Sequence, residues 1–176
     1  MNVNIKRLSA DATTPTYAHS TDACFDLYAA ADVIIEPGET ALVPTGLAFE
    51  IPSGYEMQIR PRSGITLKTH LRVQLGTVDS GYAGEVGVIV DNIAKNTADR
   101  GVVDVDKTYP IKHIDGSASK LGVFNNNAII KICKGDRIAQ AVIKPVEQAT
   151  FTVVDALEDT ERGSGGFGSS GVSQGR

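Results

Sequence analysis

Near the end of the chain, Arg162, Phe167 and glycines at 163, 165, 166 and 168 put a planar cation, an aromatic face and a permissive backbone into one short stretch. A guanidinium offers paired donors to phosphate oxygens. Glycines let a backbone fold tightly over an anion and present its amides, and a ring can stack on a base. The combination suits a phosphorylated, ring-bearing ligand held under a flap. The same Gly/Ser-rich composition also describes a solvated tail. Two familiar patterns fit here and are both rejected. Gly163-x-Gly165-x-x-Gly168 lacks the strand-turn-helix context of a dinucleotide fingerprint. Gly163-x-x-x-x-Gly168 carries Ser169 where a P-loop needs lysine.

Four more segments hold more polar chemistry than a plain β core requires. Arg62, Ser63 and Gly64 join a guanidinium, a hydroxyl and an unobstructed backbone, a trio that suits a polyphosphate as well as an ordinary turn. Asp79 lies in Gly76-Thr77-Val78-Asp79-Ser80-Gly81-Tyr82, which reads as two strands joined by a tight turn at Ser80-Gly81. An aspartate at a turn entry commonly closes an Asx-turn. It is also ionised at neutral pH and able to polarise a water. Asp26 interrupts the apolar run Phe25-Asp26-Leu27, where a carboxylate needs a partner; a hydrated divalent cation is one candidate and solvent at an edge strand another. Gln140 closes the segment that starts at Lys134 and can donate to phosphate without charge. Within that segment Asp136 and Arg137 read as a structural or intersubunit ion pair.

Strands must position these residues. Apolar, β-branched runs at 33–35, 41–45, 46–51 and 55–59 alternate with Pro-Gly and Ser-Gly turn signals. Strand character returns at 128–133 and 138–143, and no stretch keeps a helical period for three turns. The expected fold class is all-β, a jelly-roll-like barrel or sandwich of short strands. Residues 91 to about 127 are richer in Asp, Asn, Lys, Gly and Ser, and read as an ordered surface excursion. Within it, Val102, Val103, Tyr109 and Ile111 are candidate apolar anchors for another protein.

At 176 residues the chain suits one domain with a sizeable core. No apolar run is long enough for a bilayer and the polar start is no signal peptide, so a cytoplasmic location is expected, host-cell cytoplasm if the source is viral. Cys24 and Cys133 lack metal-ligand spacing and are expected as buried free thiols. His19, His70 and His113 form no zinc pattern. A net charge of −4 argues against broad nucleic-acid binding, and a cleft with its own arginines can still take a small anion.

Taken in order, the segments at 21–30, 60–64, 75–86 and 134–140, with the glycine-rich end last, resemble the five motifs of the homotrimeric dUTPase family. The resemblance implies Mg²⁺-dependent hydrolysis of dUTP to dUMP and pyrophosphate, in a homotrimer with three sites at subunit interfaces. Asp79 would activate the attacking water. Arg62, Ser63 and Gly64 would hold the phosphates around the scissile bridge, and Gln140 would donate to them. Gly76, Thr77 and Val78 would read the uracil edge through the backbone, and Tyr82 would lie against the deoxyribose and leave no room for a 2′-hydroxyl. Asp26 would lie near the Mg²⁺–triphosphate and act through metal-bound water. Arg162 would reach the γ-phosphate, Phe167 would stack over uracil, and Gly168 and Ser169 would add phosphate contacts. Two places depart from the pattern: Val73 stands where some members carry a base-contacting asparagine, and the start Thr21-Asp22-Ala23-Cys24 departs from the commoner small-residue-Gly version, which leaves Asp22 without a role.

The implied layout is a β domain over 1–161 with an insertion at about 91–127, then a flap over 162–176. Ordinary members join the third and fourth motifs by a short hairpin, so the insertion amounts to about twenty extra residues and could dock a protein partner. Two rivals stand beside this reading. A dCTP deaminase shares the fold, but no segment supplies a glutamate for the base, and ammonia against pyrophosphate release separates the two. A regulatory module could keep the nucleotide pocket and act through the 91–127 segment.

Overall fold

Short β-branched and aromatic runs, each ended by a Pro, Gly or Asp turn, build the molecule almost wholly from strands. The structure is a computed structural model and describes residues 1–95, 109–124 and 128–166. In chain order it contains β1 (Asn4–Arg7), β2 (Phe25–Tyr28), β3 (Val33–Ile35), β4 (Thr40–Pro44), β5 (Leu47–Glu50), β6 (Tyr55–Arg60), α1 (Ser63–Lys68), β7 (Leu71–Val73), β8 (Gly76–Asp79) and β9 (Gly87–Asn92). After these come β10 (Tyr109–His113), β11 (Ala118–Phe124), β12 (Ile130–Ile132) and β13 (Arg137–Pro145). The all-β jelly-roll-like expectation holds. No helix among the described residues is long and apolar enough to cross a membrane.

The strands form small sheets in the orders β1-β5, β11-β10-β12-β3, β2-β13-β6-β8 and β4-β9-β7. Alternation sends one side chain in two to a shared core. Along β9, Val88 and Val90 point inward while Ile89 is exposed. Leu27, Ile35, Val43, Leu47, Met57, Leu71, Ile132 and Ile138 are almost wholly inaccessible. Phe25 stacks on Phe49 and meets the edge of Tyr17. Buried Asn92 is fully employed: its amide nitrogen donates to the carbonyls of Ile35 and Ala128, and its oxygen accepts from the Ala94 amide. It fastens the end of β9 to β3 and to the approach to β12.

Several expectations need correction. The turn read at Arg62 to Gly64 instead opens α1, whose six residues are too short for a helical period to show. Buried Ile65 anchors it, and the Thr69 hydroxyl donates to the Ile65 carbonyl at its end. The hairpin read around Ser80-Gly81 does not form: β8 pairs with β6, and β9 pairs with β4 and β7. Ile111 is 4% exposed, so it belongs to the core and is no surface anchor. Val102 and Val103 lie outside the described residues. Cys24 and Cys133 are free, as expected, but half-buried.

Candidate active site

Sheet register brings distant segments together. In the sheet β2-β13-β6-β8, Gln140 lies opposite Asp26 on one side and Arg60 on the other, forming one row across three strands. The chain leaves β6 at Arg60 and carries Arg62, Ser63 and Gly64 into α1 beside that row. The result is a cleft of about 530 Å³ lined by Asp26, Arg62, Ser63, Gly64, Arg137 and Gln140, with His19 and Asp22 at its wall.

The charges in this cleft are tightly organised. Asp26 is 8% exposed. One of its oxygens accepts from Nε of Arg62 at 3.1 Å and the other from Nη1 of Arg137 at 3.2 Å. Arg62 also donates through Nη1 to the Arg137 carbonyl at 2.9 Å, which fixes the plane of its guanidinium. Gln140 donates one amide hydrogen to the Pro61 carbonyl at 2.9 Å and, as a primary amide, has a second to offer. The arrangement presents two guanidinium groups and an amide to an anion, held by a buried carboxylate. Within one chain Asp136 and Arg137 do not pair with each other, which leaves only the intersubunit form of that expectation: Asp136 accepts from the Cys133 amide at 2.7 Å, and Arg137 turns to Asp26. Arg137 was therefore missed as a cleft residue. Its signal was spacing, since it stands three before Gln140 and a bulge between Arg137 and Ala139 sets both toward the cleft.

The candidate residues of the 75–86 segment gather elsewhere. Gly76, Thr77, Val78, Asp79 and Tyr82 line a second cleft of about 350 Å³, walled by Leu42 and Ile89. Asp79 is exposed and lies opposite Glu56 on β6. Gly76 comes so close to Ile59 that a Cβ there would stand 3.3 Å from its Cδ1. The two clefts share no lining residue. The Glu56 row is four residues from the Arg60 row, about 13 Å at 3.3 Å per residue. A general base must come within about 3 Å of the proton it takes, or reach it through one water. Arg162 lines neither cleft; its Nε donates to the Gly165 carbonyl at 3.0 Å in an exposed turn. Phe167, Gly168 and Ser169 lie outside the described residues.

For a metal, the donor set is limited. Among the described residues no group of three His, Cys, Asp or Glu side chains converges on one point. Both oxygens of Asp26 face arginines. These residues fit a cation that arrives with a polyphosphate and meets Asp26 through water, and Mg²⁺ keeps its waters readily.

Comparison with known proteins gives a consistent picture. The sequence model of the dUTPase family matches residues 10–99 and 112–171. The deoxyuridine 5′-triphosphate nucleotidohydrolase of Nautilia profundicola is 43% identical over 173 residues, covering 97% of this chain and 99% of its own. The dUTPase of Staphylococcus bacteriophage 80alpha, solved with dUPNHPP, superposes with a TM-score of 0.87 at 36% identity, over 97% of this chain and 99% of that one. That phage protein is described as controlling the transfer of virulence genes. A point mutant of the dUTPase from phage phi11 of S. aureus, described as coordinating a structural Mg(II) ion, has a TM-score of 0.80 at 30% identity over 90% of this chain and 100% of that one.

Proposed function

The chain belongs to the dUTPase family, and from that premise we propose how its residues divide the Mg²⁺-dependent hydrolysis of dUTP to dUMP and pyrophosphate. The first cleft takes the triphosphate. Arg62 and Gln140 donate to its oxygens, the Ser63 hydroxyl adds a donor, and Gly64 leaves the backbone open to approach. Arg137 shares the load and, with Asp26, holds Arg62 in plane. Bound Mg²⁺ would neutralise charge on the phosphate oxygens. The second cleft takes the nucleoside. The backbone of Gly76, Thr77 and Val78 reads the base edge, where a cytosine would leave polar groups unpaired. Tyr82 closes the 2′ side of the sugar. Asp79 orients and deprotonates the water that attacks the α-phosphorus in line. The flap over 162–176 brings Arg162 to the γ-phosphate and Phe167 over the base, with Gly168 and Ser169 at the phosphates.

One observation carries this reading: the residues assigned to the phosphates and those assigned to the nucleoside line separate clefts of one chain. A complete site therefore takes its nucleoside half from one copy and its phosphate half from another, as three sites in a homotrimer would. Exposed Phe151, Val153 and Leu157, at 94%, 98% and 87%, are apolar surface suited to cover between copies.

Subunit mixing tests the arrangement. Asp79→Asn and Arg62→Ala proteins should each be nearly inactive. Unfolding and refolding them together in equal amounts should restore about one quarter of wild-type pyrophosphate release, because about one site in four draws both intact halves from different copies. No recovery in verified mixed oligomers would refute the shared site.

A docking role for residues 91–127 is a second reading, favoured by the regulatory description of the phage 80alpha relative. Near end-to-end alignment with the Nautilia enzyme gives that relative almost this chain's length, so the segment's size does not set this chain apart from it.

A further inference from the structure

Tyr82 stands on a loop that needs external support. Residues 80–83 are exposed, and Tyr82 itself is 48% exposed. A gate that distinguishes a hydrogen from a hydroxyl must be held to a fraction of an ångström, since a loose ring simply yields to the larger sugar. At its base the ring is fixed locally. Its hydroxyl donates to the Glu85 carbonyl at 2.9 Å, and a Cβ on Gly84 would stand 2.5 Å from that hydroxyl oxygen. These contacts tie the ring to the Glu85 carbonyl, so its place in the cleft depends on how residue 85 is held.

The Glu85 carboxylate provides one hold. Its Oε1 accepts from the backbone amide of Gly46 at 2.8 Å, across thirty-nine residues of sequence. Gly46 is a rigid anchor: it is buried, its φ is +66°, and an added Cβ would stand 2.9 Å from the Cβ of Ala12. The neighbouring tie is independent of the Glu85 carboxylate. The Thr45 hydroxyl donates to the Val86 carbonyl at 2.5 Å, and the Val86 amide donates to the Leu47 carbonyl at 2.8 Å. The Glu85 carbonyl and the Val86 amide share one peptide plane, so the Leu47 bond holds that plane at one point and the Glu85 carboxylate on Gly46 gives it a second tie against rotation.

We propose that Glu85 is a positioning residue for sugar discrimination: its carboxylate pins the Tyr82 loop to the buried Gly46 amide and so sets where the ring meets the 2′ carbon. This rests on the reading of Tyr82 as the sugar gate. An acceptor at the right reach is what the contact needs, since the partner is an uncharged amide.

The test is the ratio of kcat/KM for dUTP to that for UTP in the full chain, read by pyrophosphate release. Glu85→Ala should lower the ratio by up to about tenfold, the upper scale of one ordinary hydrogen bond. Glu85→Asp, too short to reach Gly46, should fall with it. Glu85→Gln, which keeps an acceptor at the same reach, should stay near wild type. If the alanine protein fails to fold, the Asp and Gln pair carries the comparison. A preserved ratio in the Ala and Asp variants, with Tyr82→Ala lowering it, would overturn the role of Glu85 and leave the gate standing. A Gln variant as poor as Asp would also overturn it. A ratio unmoved even by Tyr82→Ala would remove the gate itself, and this inference with it.

Discussion

Replacing Asp26 by Asn isolates what the buried carboxylate contributes. The side chain keeps its shape and one acceptor oxygen, but the other oxygen becomes an amide that points donors at a guanidinium. Either Arg62 or Arg137 must then lose its bond. Arg137 is the one water can compensate, because its side chain is 48% exposed against 28% for Arg62 and 10% for Asp26. A hydrogen bond to a charged group contributes about 1.5–3 kcal/mol, and solvent relief at Arg137 places the stability cost near the lower figure. For a chain of this length, about 1.5 kcal/mol lowers Tm by about 3–6 °C. Catalysis should suffer more than folding, since Arg137, released from Asp26, is no longer held beside Arg62 at the mouth of the cleft. If the misplaced guanidinium forfeits one charge-assisted contact to the triphosphate, kcat/KM falls about ten- to a hundredfold. Pyrophosphate release at a limiting and at a saturating Mg²⁺ concentration, together with a thermal melt, checks this. The arginine-holding role predicts that the loss persists at saturating Mg²⁺. Full rescue by added Mg²⁺ would show that Asp26 acts as a metal ligand and would refute the reasoning.

Truncation after Glu161 should leave a folded oligomer with most activity lost, since Arg162 and Phe167 go while β1–β13 are untouched. Phe167→Ala alone should cost about 1–3 kcal/mol of stacking, read in KM for dUTP, and unchanged turnover after truncation would return the segment to a solvated tail. Asp32 gives a pH test of folding: Lys131 first, then the Lys134 amide, hold its carboxyl below the ordinary value of 3.8. A depressed folded pKa stabilises above the ordinary value, and that contribution disappears as pH falls through the folded one. Asp32→Asn should therefore melt lower than wild type at about pH 7, with the gap narrowing steadily as pH falls below 3.8; a gap that does not narrow would refute the assignment.

How much was legible depended on the range of the signal. Strand runs such as 33–35 and 55–59 were readable because alternation and turn residues act over a few positions. Asp26 stood out as a polar residue in an apolar run, and its need for a partner was a sound inference. Which partner it takes was not visible, because Arg62 and Arg137 reach it only through the pairing of β2, β13 and β6. The same blindness produced the false hairpin at Ser80-Gly81. The turn residues were correct and the Asp79 carbonyl does accept from the Tyr82 amide, yet each flanking strand found a better partner elsewhere. Local turn chemistry constrains a reversal of the chain, and tertiary packing decides which edges then pair.

The separation of the two clefts follows from the same limit. Motifs that act on one substrate invite the assumption that one chain brings them together, and spacing in sequence cannot contradict it. Register can. Gln140 and Arg60 share a row while Asp79 and Glu56 share another, so Asp79 is set four residues along the sheet from the row beside the cleft arginines of its own chain. A family resemblance can name the roles, and it can name a trimer. Only the geometry supplies a physical reason for the proposed assembly: as a base, Asp79 would have no phosphate cleft of its own chain within reach, and a second copy would have to bring one.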